Sequence, residues 1–289
     1  MTDHPTLSVV MSARNSADTL PETLAAIAAQ DYPAWWEVVV ASNGSRDDTL
    51  GVAGSFDGRI DNLRVVDVPD PSCQARGQNY GVSQSKGDVI VFLDADDVVG
   101  HDYLRHLGRA MSVHPFVGAS VDVTLLNSER TQRIRRPLQV DRIDEYCRFR
   151  PAVIGAAMGA QRTAVDAVGG FDESLETQHD LDISWRLLAA GYPATLVPQA
   201  VLHYRYRDHP RELFDQQVGY GLGEVALYAK YADQGMPRPT PVNVAAEYAR
   251  LAKSLVTSLR PGGASHFATR AGMAYGRLRG SIAQRTLYL

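Results

Sequence analysis

Short apolar runs alternate with amphipathic segments through the first hundred residues of the chain. Four runs have the length of buried strands, and they are predicted at residues 7–12, 37–42, 63–68 and 89–93. Apolar spacing predicts a helix after the first run, with Asp18 as its N-cap, and another at residues 72–85. Asn43 and Gly44 turn the chain into a short helix after the second run. This alternation predicts an α/β fold with a Rossmann-like, mostly parallel central sheet flanked by helices.

The pattern continues less regularly through residues 101–210. Helices are predicted at residues 101–114 and 179–190, and strands at residues 117–125 and 194–201, the latter ending at His203. The polar, Arg-rich segment 127–136 is predicted to be a loop or hairpin over the site, because its charges leave little to bury. The small apolar residues 151–160 are expected to form the floor of a substrate pocket, with dense core packing as the alternative.

The carboxy-terminal part reads as a helical extension of residues 211–289, with helices near 242–259 and 267–287 after a proline-rich linker. Arginines interspersed with Leu, Ala and Tyr are typical of an amphipathic element. Packing on the domain is favoured over contact with a partner, a second copy or an anionic bilayer. Gly219, Gly221 and Gly223 lack the spacing of a dinucleotide loop and indicate helix packing or helix flexibility.

Residues 88–97, DVIVFLDADD, carry the clearest chemistry. A buried strand there leads directly into Asp94, Asp96 and Asp97, and ligands of parallel sheets bind at the carboxyl ends of the strands. Carboxylate oxygens suit Mg²⁺ or Mn²⁺, which neutralise a diphosphate. The alternative is a solvated turn, since Asp favours turns. The motif therefore predicts metal-assisted displacement at a phosphate-bearing substrate.

Composition limits the partners. The chain has 289 residues, 21% of them charged, and a net charge of -4, which gives no general reason to expect nucleic-acid binding. Only Cys73 and Cys147 are present, too few for a disulfide framework, so a cytoplasmic location is expected. Residues 1–10 show no basic region followed by a long apolar stretch, and no apolar run approaches the length of a spanning helix, so any membrane contact is expected to be peripheral.

These motifs together resemble the inverting glycosyltransferases of family 2, which have the GT-A fold. The resemblance covers about residues 7–205 and rests on SVVMSARN, VVVASNGSRDDT, KGDVIVFLDADD, GGFDE, HDLDISWRLLAAGY and VLHYR in that order, with Arg76, Asn79 and Gly81 between the second and third. Several motifs in one order are more specific than any one alone. It implies a catalytic domain over residues 1–210, with a donor half of about 1–100 and an acceptor half of about 101–210.

The resemblance also implies roles for individual residues. The nucleotide-sugar donor is expected at Ala13, Arg14, Asn15, Ser42, Arg76, Asn79, Asp94 and Ala95, with Asp94 facing the ribose. Asp96 and His203 are expected to hold Mn²⁺ or Mg²⁺, and Asp180 is expected to be the catalytic base that deprotonates the acceptor hydroxyl. Asp182 is expected to be structural. The acceptor is left open between a carbohydrate, a lipid-linked sugar and a small molecule.

Four positions depart from the usual pattern of the family: Ser12, Arg14, Ser42 and His179. The first three concern base recognition, so a dTDP- or GDP-sugar is as compatible with the sequence as a UDP-sugar. A cationic His179 is expected to keep Asp180 ionised. Two alternatives remain: a nucleotidyltransferase, for which SARNSADT is a poor triphosphate loop, and a catalytically inactive relative that binds a nucleotide-sugar as a scaffold or sensor.

Overall fold

The computed structural model describes residues 4–135, 137–260 and 262–289. Ten strands are present in this part of the chain: β1 Leu7–Ala13, β2 Trp36–Ser42, β3 Leu63–Asp67, β4 Val89–Phe92, β5 Val98–Val99, β6 Phe116–Asp122, β7 Glu145–Tyr146, β8 Arg150–Pro151, β9 Met158–Gln161 and β10 Thr195–His203. The helices are α1 Leu20–Ala28, α2 Thr49–Gly54, α3 Gln74–Gln84, α4 Tyr103–Met111, α5 Glu129–Ile134, α6 Arg162–Ala167, α7 His179–Ala189, α8 Pro210–Tyr231, α9 Pro241–Thr257 and α10 Gly263–Ala283.

Eight strands form one sheet in the order β3-β2-β1-β4-β9-β6-β10-β5. Parallel pairing joins β3 to β2, β2 to β1, β1 to β4 and β6 to β10. Only β9 and β5 run against the others, through antiparallel pairs with β4, β6 and β10. The predicted mostly parallel α/β sheet is therefore confirmed, and its six parallel strands end at the same edge.

The central strands are buried on both faces, which explains why they read as continuous apolar runs. Val9 and Met11 of β1 pack in one layer with α1 and α4, whereas Val10 packs in the opposite layer with α3, α6 and α7. Since side chains alternate along a strand, a single apolar run supplies both layers. The sheet is thus a rigid support for the loops at its edge.

The structure corrects two local predictions and decides a third. The N-cap of α1 is Thr19 rather than Asp18. The expected loop or hairpin at 127–136 contains the short helix α5, capped by Ser128, whose hydroxyl accepts a hydrogen bond from the Thr131 N–H; Arg136 lies outside the described residues. Segment 151–160 was expected either to form the floor of a pocket or to pack in the core, and different parts of it do each. The 3-10 turn at Gly155–Ala157 lines a pocket, whereas β9 lies in the core.

Close packing of glycines joins α8 and α10. A Cβ added at Gly276 would lie 2.3 Å from the Val218 carbonyl oxygen, and one at Gly221 would lie 2.6 Å from the Met273 carbonyl oxygen. Backbone atoms cannot move aside as a side-chain tip can, so these positions require glycine. The glycines of α8 therefore serve helix packing, as predicted. No helix in the described ranges is long and apolar enough to cross a membrane.

Candidate functional site

The carboxyl ends of β1 and β4 border a cleft of about 750 Å³. Its wall is formed by Ser12, Arg14, Ser16, Asn43, Ser72, Cys73, Gln74, Asp94, Ala95, Asp96, Glu173, Ser174, Glu176, Thr177 and Arg207. These residues come from six separate parts of the sequence, several of which follow the ends of parallel strands. Three of the predicted donor residues, Arg14, Asp94 and Ala95, and the predicted metal ligand Asp96 line this cleft.

Asp94, Asp96 and Asp97 form a compact acidic cluster, with one carboxylate oxygen from each residue lying within 4.8 Å of the others. Burial, with repulsion from Asp96 and Asp180, raises the pKa of Asp94 to about 7. Burial and the same kind of repulsion raise the pKa of Asp97 well above its usual value. Like charges this close disfavour one another's ionisation, so the cluster favours a cation.

Basic and amide groups offset part of this charge. Arg207 pairs with Asp96 at 3.1 Å, and the Gln74 side-chain amide donates to Asp94 Oδ1 at 2.6 Å. The backbone N–H of Arg205 donates to Asp97 Oδ1 at 2.7 Å. Arg207 is half-exposed, so its guanidinium stays in contact with solvent.

The donor set fits a hard divalent cation. Asp97 is fully buried, and its Oδ2 has no hydrogen-bond partner among the described residues. A buried carboxylate oxygen without a donor is costly unless a cation or a proton compensates it. Three clustered carboxylates with one such oxygen are consistent with Mg²⁺ or Mn²⁺.

Asp180 is held at the first turn of α7 by two backbone donors. The N–H of Gly155 donates to Oδ2 and the N–H of Leu181 donates to Oδ1, each at 3.0 Å. Gln178 begins the helix in the left-handed region at φ 58°, and its side-chain amide donates to the Tyr220 carbonyl. The carboxylate is therefore fixed in orientation by the turn at Gly155 and by α8.

Asp180 faces a second cavity, of about 440 Å³, whose wall is mostly apolar. Four tyrosines, Tyr146, Tyr204, Tyr206 and Tyr220, contribute to this wall. Burial, followed by repulsion from Asp180, raises the pKa of Tyr146, and its buried hydroxyl has no hydrogen-bond partner in the described parts of the chain. A buried hydroxyl of this kind is available to a bound polar group.

The two cavities meet. Gln74, Asp94, Glu176 and Thr177 line both of them. A molecule in the polar cleft and a molecule beside Asp180 would therefore both lie next to Asp94. This junction places the acidic cluster on one side of a shared opening and the fixed carboxylate of Asp180 on the other.

The neighbours of Asp180 on α7 are both buried. Desolvation lowers the pKa of His179, whose ring packs edge-on against Phe171 at 5.5 Å between centroids. The expectation that a cationic His179 keeps Asp180 ionised is thus wrong, because a buried imidazole favours its neutral form. Asp182 is fully buried and paired with Arg186 and Lys230, which confirms its structural role.

The other predicted site residues lie behind or beside the cleft. Ala13 and Ser42 are buried at the strand ends, and the Ser42 hydroxyl lies 3.4 Å from the Ser45 hydroxyl. Asn15 adopts φ 52°, and its side chain accepts a hydrogen bond from the Arg46 N–H.

Arg76 and Asn79 lie on α3 and hold the GGFDE loop in place. Arg76 pairs with Glu173 at 3.1 Å, while the Asn79 side chain donates to the Phe171 carbonyl and accepts from the Phe171 N–H. Their predicted contacts with a donor stay predictions.

His203 pairs with Asp122 rather than with the acidic cluster in this structure. Its Nδ1 lies 2.7 Å from Asp122 Oδ2, at the adjoining ends of β10 and β6. A carboxylate on one ring nitrogen orients a histidine so that the other nitrogen is directed elsewhere. The metal role of His203 stays a prediction.

Sequence reasoning did not assign Glu176, Thr177, Arg207 or the four tyrosines to the site. Arg207 follows the VLHYR motif by two residues, so proximity to a strand end was an available signal. The tyrosines come from β7, from the loop after β10 and from α8, and their convergence has no local signature.

Family comparisons agree with this geometry. The family model described as Glycosyl transferase family 2 matches residues 8–169, and that described as Glycosyl transferase family group 2 matches residues 89–257. Together these matches include both the acidic cluster and Asp180.

Relatives with assigned names cover most of the chain at low identity. Glycosyltransferase AglE of Haloferax volcanii is 26% identical over 227 residues, covering 78% of this chain and 74% of the relative. Succinoglycan biosynthesis protein ExoU of Rhizobium meliloti is 36% identical over 199 residues, covering 63% and 57%. Pre-mycofactocin glycosyltransferase of Mycobacterium tuberculosis is 25% identical over 243 residues, covering 81% of this chain and 50% of that protein. The chain thus spans about half the length of some relatives.

Solved structures share the fold. The mannosyltransferase PcManGT from Pyrobaculum calidifontis, in complex with GDP-Man and Mn²⁺, superposes with a TM-score of 0.67 at 19% identity, covering 96% of this chain and 88% of that one. S. aureus TarS 1-349 in complex with UDP-GlcNAc superposes with a TM-score of 0.58 at 14% identity, covering 98% and 93%. At these identities the likeness shows the GT-A fold.

Proposed function

The chain belongs to glycosyl transferase family 2, and from that premise we propose that it is a metal-dependent inverting enzyme that moves a sugar from a nucleotide-sugar to an acceptor hydroxyl. The observation that carries the proposal is the junction of the two cavities at Asp94, with the acidic cluster in one and Asp180 in the other. A transferase needs both reactants in contact and shielded from water, and the junction provides this contact.

The polar cleft would hold the donor. Asp94, Asp96 and Asp97 would hold Mn²⁺ or Mg²⁺, which when bound would neutralise charge on the leaving diphosphate. Arg207 pairs with Asp96 at 3.1 Å and is half-exposed, so it can turn toward an incoming phosphate. Arg14 also lines the cleft and offers a planar guanidinium on which a base can stack.

Asp180 would act as the general base. The acceptor oxygen attacks the anomeric carbon, its proton passes to the Asp180 carboxylate, and the bond from the anomeric carbon to the phosphate oxygen breaks with its electrons going to the diphosphate. One base on the side opposite the leaving group gives inversion. The two backbone N–H donors hold Asp180 so that little reorganisation accompanies proton transfer.

We further propose that the donor base is not restricted to uracil and that a dTDP- or GDP-sugar can serve. Ser12 and Asn43 line the cleft near the end of β1 and β2, and the Asn43 side chain is already occupied by the Cys73 carbonyl and the Ser72 N–H. Arg14 is the remaining planar group on this side. Titration calorimetry with UDP, dTDP and GDP in the presence of Mn²⁺ tests this, and a strong, exclusive preference for UDP would contradict it.

Release of nucleoside diphosphate from a panel of nucleotide-sugars, with Mn²⁺ or with EDTA, tests the activity. We expect metal-dependent release that Asp180→Asn reduces by at least about a hundredfold without weakening diphosphate binding, because only the base is removed. Asp166→Asn is a matched control, since Asp166 is an exposed carboxylate on α6 that lines neither cavity.

Two outcomes would contradict the proposal. Unchanged turnover in EDTA would exclude metal dependence, and unchanged turnover in Asp180→Asn would exclude Asp180 as the base. Tight donor binding without release, under a broad set of acceptors, would instead support a non-catalytic relative.

A further inference from the structure

Helix α9 turns an apolar face outward. Residues spaced three or four apart recur along one side of the helix, and all of them are exposed: Ala245, Tyr248, Ala249, Ala252, Leu255 and Val256. Leu259, two residues beyond the helix, extends this set and is 98% exposed. We name these seven residues the α9 stripe. In a surface helix of a globular protein the apolar stripe normally faces the core, so this orientation is inverted.

The opposite side of α9 makes the contacts with the rest of the protein. Only Ser254 of this helix is buried, and Glu247 pairs with Arg270 of α10 and with Arg250. Glu247 is the one acidic residue of α9, and it lies on the side turned from the stripe. The stripe therefore has no covering element in the described structure and no negative charge on its own helix face.

Charge is distributed unevenly along the chain. Residues 242–289 contain seven Arg or Lys residues and one acidic residue, a net charge of +6, although the whole chain carries -4. Lys253 and Arg260 are exposed beside the stripe. The catalytic part is thus strongly acidic and the end of the chain strongly basic, a combination that directs the carboxy-terminal helices toward an anionic surface.

We propose that the α9 stripe docks this protein on an anionic lipid bilayer, with the apolar side chains entering the interface and the flanking cations meeting lipid phosphates. An amphipathic helix lying in the interface combines apolar burial with attraction to anionic headgroups. A second copy of the chain fits less well, because a symmetric contact through this face would bring like charges together. The inference does not depend on the donor or acceptor of the proposed reaction.

Vesicle flotation with the full chain tests the docking. The probes are vesicles of phosphatidylcholine alone and of phosphatidylcholine mixed with phosphatidylglycerol. We expect binding to the mixed vesicles, reduced about tenfold or more by the triple change Leu255→Ser, Val256→Ser and Leu259→Ser, and reduced also by Lys253→Glu with Arg260→Glu. High salt should weaken the binding that the cations supply.

Val113→Ser is the matched control, because Val113 is 72% exposed but lies on the catalytic part. It should bind vesicles as the wild type does. Donor release in vesicle-free buffer and thermal unfolding should be unchanged in all variants, which shows that they fold. Equal flotation of wild type and triple variant, or no flotation with anionic vesicles, would overturn the proposal. The proposal would also be overturned if the wild type is a dimer, the triple variant is a monomer and neither binds vesicles.

Discussion

Asp180 and Asp182 lie two residues apart on α7, and their surroundings give them opposite roles. Asp180 lines a cavity and accepts hydrogen bonds from two backbone N–H groups. Asp182 is fully buried and meets Arg186, Lys230 and the Tyr231 hydroxyl. Residues two positions apart on a helix are rotated by about 200° around its axis. Asp180 therefore faces the cavity, whereas Asp182 faces α8.

Asp182→Ala should lower the free energy of unfolding by about 3 kcal/mol, because it leaves Arg186 and Lys230 partly buried without their shared partner. Asp180→Asn should change it by less than about 1 kcal/mol while reducing turnover at least about a hundredfold. Urea denaturation followed by circular dichroism measures both. A larger loss of stability from Asp180→Asn than from Asp182→Ala would contradict this division of roles.

The pH dependence of metal binding should follow Asp94. Its pKa is raised to about 7 by burial and by Asp96 and Asp180, so the carboxyl keeps its proton at pH 6 and must release it to bind a cation. Affinity for Mn²⁺ should therefore rise about tenfold per pH unit below 7 and level off above it. Titration by electron paramagnetic resonance measures this, and Asp94→Asn should flatten the slope.

The same shift has a defined sign for stability. The folded pKa of Asp94 lies above its usual value of 3.8, so the folded state binds the proton more tightly than the unfolded chain does. Its contribution to the stability of the metal-free protein should fall as the pH rises from about 4 to 7. The unfolding midpoints of the wild type and Asp94→Asn should be similar at low pH, where both side chains are neutral. As the pH rises, the midpoint of the wild type should fall below that of Asp94→Asn. A difference between the two that shrinks with rising pH would contradict this.

At the scale of elements, α8 contacts both α10 and the segment before Asp180. The Thr177 hydroxyl donates to the Gly219 carbonyl at 2.6 Å, and a Cβ at Gly223 would lie 2.5 Å from the same hydroxyl. On the opposite side of α8, Gly221 meets α10. Alternate glycines of α8 thus allow close contact with Thr177 on one side and with α10 on the other. The placement of the segment before Asp180 therefore depends on the position of α8.

Gly276→Ala should destabilise the protein by about 1–3 kcal/mol, because the new methyl group would meet the Val218 carbonyl in α8. Gly54→Ala in α2 is the control: nothing lies within 4 Å of its added Cβ, so the better helix propensity of Ala should leave stability equal or up to about 1 kcal/mol higher. Thermal unfolding compares the two. Equal midpoints for both variants would contradict the packing argument.

Prediction from sequence succeeded for elements whose local pattern and tertiary environment agree. The runs that became β1, β2 and β4 are mostly apolar, with consecutive apolar residues at their centres, because two layers cover them. It failed for α5, where the polar residues suggested a loop. The decisive contacts there are the Ser128 cap and the burial of Thr131.

At the scale of the whole molecule, the site lies between two halves of the chain. The wall of the cleft combines residues 12–96 with residues 173–207. Both of these segments also contribute residues to the wall of the second cavity. A ligand that spans them links distant segments and therefore stabilises the folded state as a whole.

Mn²⁺ with a matching nucleoside diphosphate should raise the unfolding temperature. At a ligand concentration about a hundred times the dissociation constant the stabilisation is about 2.7 kcal/mol, which corresponds to a few degrees for a domain of this size. EDTA should reverse the shift, and Asp96→Asn should remove it because a carboxylate of the cluster is lost. A shift of equal size in EDTA would show that the diphosphate binds without a cation.

The sequence by itself determined the α/β class, the acidic motif after β4, the position of Asp180 in the first turn of α7 and the structural nature of Asp182. These features depend on periodicity and on residues near one another in the chain. Only the tertiary structure decided that His179 is buried and neutral, that Arg207 faces Asp96, that four tyrosines surround the space beside Asp180 and that the apolar side of α9 faces outward. Each of these depends on which segments meet across the sheet or are left without a neighbour, and contacts between residues distant in sequence leave no local pattern.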